Sequence, residues 1–172
     1  MLELNFEKLD ERTKQHSLRV AELSSKIAME MGFESSDLFI AALYHDIGKI
    51  KISKKILFKP GRLTDDEFLE IKNHSKYGSE IMKGVLTKQQ RMIILYHHEN
   101  EDGSGYYHKM SDEIPFESKI IHVADVYDAL VSQRCYKNSL SVNETLDIIK
   151  KSAGMFDRNV LNALFSIIKS AN

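Results

Sequence analysis

The chain has 172 residues, a net charge of −1, two prolines, one cysteine and no tryptophan, which suits one domain with a core of its own and gives no global electrostatic case for duplex nucleic acid. Cys135 alone excludes an internal disulfide framework and fits a reducing compartment. No apolar run reaches the length of a membrane span, and Met1 to Asp10 lacks the layout of a signal peptide, so a soluble cytoplasmic protein is expected.

Apolar residues recur mostly at helical spacing, and the expected fold is all-α, a single-domain helical bundle over residues 1–172. The first helix is predicted from Glu7 or Arg12 to Met31, stopped by Gly32. Its inner stripe, His16, Val20, Leu23, Ile27 and Met31, puts His16 on the buried face, where a satisfied core or rim histidine is the ordinary reading. Ser35 or Ser36 can cap a second helix, which carries Leu38 to Tyr44 into His45-Asp46-Ile47-Gly48-Lys49, with Gly48 as the helix stop. An imidazole beside a carboxylate can bind metal. The two carboxylate oxygens can bridge two metals, and Lys49 can neutralise a phosphate held against them. Taken alone, such a pair is equally a hydrogen-bonded piece of core. Lys49, Lys51, Lys54, Lys55, Lys59 and Arg62 follow without an intervening acid, a solvated connector of which one or two members could face an anionic substrate.

Pro60-Gly61 is a turn, and Thr64-Asp65-Asp66-Glu67 a capping box that opens a helix leading to Asn73-His74. A short helix is predicted over Lys76 to Val85. Thr87-Lys88-Gln89-Gln90 is a second capping box, opening an apolar helix that ends in His97-His98-Glu99. The segment from Asn100 to Ile114, with Asp102, Gly103, Gly105 and Tyr106, is a long loop of the functional kind. Pro115 fits the first turn of a long helix. There Asp125 and Asp128 share a face with Ile121, which is costly for an acid unless it is paired or bound to a cation. Ser141 caps the next helix and Asp157 the last, while His108 reads as a loop residue and His122 as a helix-surface residue.

Metal-type ligands thus stand at His16, His45, Asp46, His74, His97, His98 and Asp125. Nitrogen and carboxylate donors without thiolates suit Fe, Mn, Ni, Co or Zn. They are more than one ion needs, and with a shared carboxylate they fit two metals about 3.5–4 Å apart, a centre suited to hydrolysing a phosphate ester.

The ordered set His16, His45-Asp46 and Asp125 resembles the HD superfamily of metal-dependent phosphohydrolases, whose helical fold is therefore expected. The remaining pieces resemble its HD-GYP subgroup. These are His45-Asp46-Ile47-Gly48-Lys49, His74 with Gly78, His97-His98-Glu99, Asp102-Gly103-Ser104-Gly105-Tyr106, Ile114-Pro115, Ala124-Asp125-Val126-Tyr127-Asp128-Ala129-Leu130, Arg134 with Tyr136-Lys137, and Gly154 with Phe156-Asp157. The resemblance implies that His16, His45, Asp46 and Asp125 hold one metal, and that Asp46, His74, His97 and His98 hold a second, Fe or Mn favoured. A metal-activated bridging hydroxide would attack phosphorus. Lys49 would contact the scissile phosphate, and Arg134 and Lys137 the substrate's other phosphate. The implied activity is hydrolysis of cyclic di-GMP to pGpG and often on to GMP. Another nucleotide, cyclic GMP-AMP, or a non-catalytic cyclic-dinucleotide binding module are the alternatives.

The resemblance also implies that the Gly105-Tyr106 loop borders the site and docks diguanylate cyclase domains, and that regulatory domains are further partners. Where the subgroup has Gly-Tyr-Pro this chain has Gly105-Tyr106-Tyr107, a loss of proline expected to loosen the loop. Cys135 and Arg158 replace two further prolines. Members with a third metal carry a Glu one helical turn before the first His, where Arg12 stands here, which favours two metals. Glu99 and Asp128 are expected to support the ligands or the structure around them.

Overall fold

The computed structural model describes residues 5–132 and 142–170. Arg134, Cys135, Lys137 and the Ser141 cap lie outside them. The described residues form α1 (Glu11–Glu30), α2 (Leu38–Leu43), α3 (Lys54–Leu57), α4 (Asp65–Lys72), α5 (His74–Ile81), α6 (Lys88–Tyr96), α7 (Phe116–Ser132), α8 (Val142–Lys151) and α9 (Arg158–Ser170), with turns of 3-10 helix at Ile47–Lys51, Ser111–Glu113 and Ala153–Met155. There is no strand among the described residues, as an all-α bundle requires.

The local signals act where the sequence places them. Asp10, not singled out in the sequence, accepts the Thr13 N–H at 3.1 Å and starts α1. Thr64 and Thr87 each close a reciprocal capping box with the side chain three residues on, starting α4 and α6. Asp157 accepts from the N–H groups of Asn159 and Val160 and starts α9. Gly32, at φ 64°, ends the first helix in the left-handed conformation that glycine adopts without penalty.

α1 packs against α2, α7 and α9, while α5 packs against α6 and the Ile47–Lys51 turn. Between them lies a core of Val20, Ile27, Ile47, Ile93, Ile121 and Leu164, all nearly or fully excluded from water. α7 runs through the middle and is buried from Ile120 to Asp125 without a break. His122 is therefore a core residue, only 6% exposed, and not the surface residue its spacing suggested. The amphipathic reading assumes a wet face, and a central helix has almost none.

The His45-Asp46 pair departs from expectation in a way that matters for the site. α2 ends at Leu43, so the pair sits in the turn after the helix, and Gly48 lies inside the following 3-10 turn rather than stopping α2. Gly48 is needed for contact. A Cβ there would stand 1.8 Å from the His74 carbonyl oxygen and 2.5 Å from the Gly78 nitrogen. Gly48 lets this turn lie against the backbone of α5, bringing Asp46 to His74.

Candidate metal centre

Each half of the centre is assembled from separated helices. His16, a third of the way along α1, meets His45 and Asp125 of α7, with one donor atom of each within 4.8 Å of the others. His74, at the start of α5, meets His97 and His98, at the end of α6, within the same limit. Asp46, 1% exposed, lies between the two groups. Its Oδ1 is 3.4 Å from His74 Nε2. Its Oδ2 is 3.5 Å from His45 Nε2 and 3.8 Å from His16 Nε2. All seven residues singled out as ligands from sequence thus converge.

The histidine tautomers are set by the backbone. Nδ1 of His45, His74 and His97 lies 2.7, 2.7 and 2.6 Å from the carbonyl oxygens of Ala42, Ile71 and Ile94, each three residues earlier. A carbonyl only accepts, so each Nδ1 carries the proton and each Nε2 presents a lone pair to the centre. The His45 lone pair is buried with no hydrogen-bond partner. Those of His74 and His97 face each other at 3.3 Å, where two acceptors repel. Burial, reinforced by the neighbouring imidazoles, pushes His97 far below the usual histidine range, and burial also lowers His74, so proton sharing does not relieve the contact. A cation does. The donor set and its lone pairs therefore fit metal ions.

The carboxylates are ionised despite burial. Burial opposes the charge on Asp46, but the Lys49 ammonium, helped by the protonated His16, holds it well below the ordinary carboxylate range. Asp125 is held low in the same way, chiefly by its hydrogen bond from His16. Lys49 Nζ is 2.6 Å from Asp46 Oδ2 and stays protonated through that contact.

Asp128 is placed behind His16, as a supporting group. Its Oδ2 is 2.7 Å from His16 Nδ1, and it takes the Arg19 guanidinium through both oxygens at 2.7 and 2.9 Å. This carboxylate fixes the His16 ring so that Nε2 points inward, 2.9 Å from Asp125. Burial works against a charged His16, yet the hydrogen bonds to Asp125 and Asp128 push it up to about 9 without metal. Because the folded pKa is raised above the ordinary 6.5, the stability this imidazolium lends is complete below about pH 6.5 and is lost as pH rises through 9. A cation must displace the same proton. Metal uptake by the His16 half should therefore strengthen across that window while the chelated protein loses thermal stability across it. Titrations at several pH values of the wild type and His16→Gln check this, and an equal slope in both proteins would refute it.

Both oxygens of Glu99 are engaged by the loop. The residue is 2% exposed, and its two oxygens accept the N–H groups of Tyr107 and Lys109, both at 2.7 Å. A proline at position 107 would have no N–H to give. Tyr107 also shares a hydrogen bond with Ser75 at 2.9 Å and sets its ring edge-on to Tyr96. The proline-free sequence thus ties the loop down rather than loosening it. Gly105 is buried against the backbone of His98 to Asn100, and the Tyr106 ring lies over His98 at 4.5 Å between centroids. Gly103 turns the chain at φ 76° against Met110, while Asp102 is exposed and spends its carboxylate on Ser104, so these two shape the loop away from the ligands.

A cavity of about 760 Å³ opens beside the His16 half, within the usual size range of small-molecule sites. His16, Lys49 and Asp125 form its floor, and Arg12, Arg19 and Phe58 line its walls. The sequence marked none of these three as site residues. Arg12 was marked only as the residue standing where some members carry a further metal-binding Glu, Arg19 has only its helical spacing from His16 as a signal, and nothing local marks Phe58.

The family model described as HD domain matches residues 1–160. A cyclic di-GMP phosphodiesterase of Thermotoga maritima is 38% identical over 98% of this chain and 48% of its own length. A 3'3'-cGAMP-specific phosphodiesterase of Vibrio cholerae is 37% identical over 88% of this chain and 37% of its own. The chain thus spans about half or less of the curated relatives it matches. A solved HDG"Y"P protein from Bdellovibrio bacteriovorus has the same fold, with a TM-score of 0.74 at 20% identity over 91% of this chain and 52% of that one.

Proposed function

This chain belongs to the HD domain family, and on that premise we propose that it is a metal-dependent phosphodiesterase of cyclic dinucleotides, cyclic di-GMP foremost. Asp46 carries the reading, because its two oxygens face two separate groups of histidines. We assign one ion to His16, His45, Asp125 and Asp46, and a second to His74, His97, His98 and Asp46, iron or manganese being the favoured metals. Bound divalent cations supply Lewis acidity, polarising phosphoryl oxygens and lowering the pKa of water. The protein's own part is positioning and charge. The carbonyls behind His45, His74 and His97 hold the rings, Asp128 holds His16, and Lys49, on the cavity floor, stabilises the charge that grows on the scissile phosphate.

Arg134 and Lys137, outside the described residues, are assigned the second phosphate on the strength of the sequence resemblance. The resemblance supports diguanylate cyclase domains, docked at the Gly105-Tyr106 loop beside the site, and regulatory domains as partners, and the greater length of the relatives leaves room for further domains. The lone Cys135 supports a cytoplasmic setting. No helix among the described residues is long and apolar enough to cross a membrane.

Cyclic GMP-AMP is the second substrate reading, favoured by the similarity to the Vibrio cholerae enzyme. Protein loaded with Fe(II) or Mn(II) without oxygen should convert cyclic di-GMP to pGpG or GMP, and the product ratio shows whether both bonds are cut. Faster cleavage of cyclic GMP-AMP would select the second reading. Intact ligand recovered from fully metal-loaded protein would leave a binding module.

A further inference from the structure

We propose that Phe58 and Arg12 form a guanine-selective base subsite on the outer wall of the cavity, Phe58 stacking on the purine and Arg12 reading its acceptor edge. The inference rests on the cyclic-dinucleotide reading and adds what selects the base. The other cations around the cavity are engaged: Lys49 with Asp46, and Arg19 with Asp128. Arg12 is exposed and makes no hydrogen bond or ion pair with the described residues. The acids nearest it in sequence are also engaged. Asp10 accepts from the Thr13 N–H and hydroxyl, and Glu11 takes the Gln15 amide. Arg12 lies one helical turn before His16 on α1, about 6 Å along the axis, and lines the same cavity.

Phe58, at the end of α3, lines the same cavity. It is 55% exposed and has no ring or cation partner among the described residues. Single exposed phenyl rings are ordinary, but this one lines the cavity that His16, Lys49 and Asp125 also line. A phosphate cannot use such a face, and a purine can, because base stacking on an aromatic ring is favourable for every base. Arg12 then supplies what stacking lacks. Guanine presents O6 and N7, two acceptors matched by a guanidinium fork, whereas adenine presents a donor beside N7 and would meet Arg12 donor to donor. A cyclic dinucleotide with one phosphate over the metals can lay a base into the gap between these two side chains.

The test uses metal-loaded wild type, Phe58→Ala, Phe58→Tyr and Arg12→Met. Affinity and KM are measured for cyclic di-GMP and cyclic di-AMP, and turnover is normalised to that of bis(p-nitrophenyl) phosphate, a diester without a base. Phe58→Ala should weaken cyclic di-GMP about tenfold in both affinity and normalised kcat/KM, with Tyr restoring most of it. Arg12→Met should reduce the preference for cyclic di-GMP over cyclic di-AMP about tenfold or more. Variants that track the wild type within twofold, while the wild type still cleaves cyclic di-GMP, would overturn the subsite alone. A wild type that cleaves the simple diester but neither binds nor cleaves cyclic di-GMP would overturn the function and the subsite together.

Discussion

Asp46→Asn should lower turnover by about a thousandfold or more and leave the protein unable to hold metal in both halves of the centre at once. The substitution preserves shape and removes only charge and one acceptor. Asp46 offers one oxygen to His74 and the other to His45, His16 and Lys49. An asparagine can turn its carbonyl to one side only, and its NH2 then faces the other group, where it repels a cation. The same NH2 can donate to the free Nε2 lone pairs of the histidines, but Lys49 loses its counter-ion, so the variant should fold with a lower melting temperature than the wild type when both are chelated. The wild type should also gain more stability than the variant on adding Mn(II). Elemental analysis, melting curves with and without metal, and product formation together check the claim. A variant that keeps two equivalents of metal would show that the histidines suffice and that Asp46 is not shared.

The residues that converge at the candidate centre were legible in the sequence because they are chemically unusual where they stand. Histidines and acids at the ends of apolar runs have few cheap explanations, and the ordered resemblance across the chain removed most of those. The caps at Thr64, Thr87 and Asp157 were legible because they act within a few residues. What escaped depends on distant partners. Gly48 read as a helix stop, but its neighbour is the backbone of α5. His122 read as exposed because spacing alone cannot show that α7 is covered on nearly every side; its Nδ1 lies 3.1 Å from the His97 carbonyl and its ring packs on Phe156. Tyr107 read as a missing proline, because the acceptor that its N–H satisfies is Glu99, buried beneath the loop. Arg19 reaches an aspartate that lies 109 residues along the chain.

Gly48→Ala should destabilise the fold by about 3 kcal/mol and cost the His74 half of the centre its metal, although the added methyl touches no ligand. Three atoms stand in its way, the His74 carbonyl oxygen at 1.8 Å, the Gly78 nitrogen at 2.5 Å and the His74 carbonyl carbon at 2.8 Å, and all are backbone. None can rotate aside, so the turn must lift away from α5. Asp46, two residues earlier, would then move off His74, now 3.4 Å away, and the shared carboxylate would serve the His16 half alone. Gly78→Ala provides a graded comparison. Its methyl would meet Ile94 Cγ2 at 3.1 Å and Ile47 Cγ2 at 3.3 Å, side-chain atoms that can yield, so a cost of about 1 kcal/mol with partial metal loss is expected. Gly154→Ala meets nothing within 4 Å and should be near neutral. Urea unfolding of the chelated proteins, with metal content measured in parallel, orders the three. If Gly48→Ala proves too unstable to purify, Gly78→Ala still decides the matter. Full metal occupancy in a measurably destabilised Gly78→Ala would show that the turn and α5 separate without parting Asp46 from His74, and the centre would then owe its geometry to α6 and α7 rather than to this backbone contact.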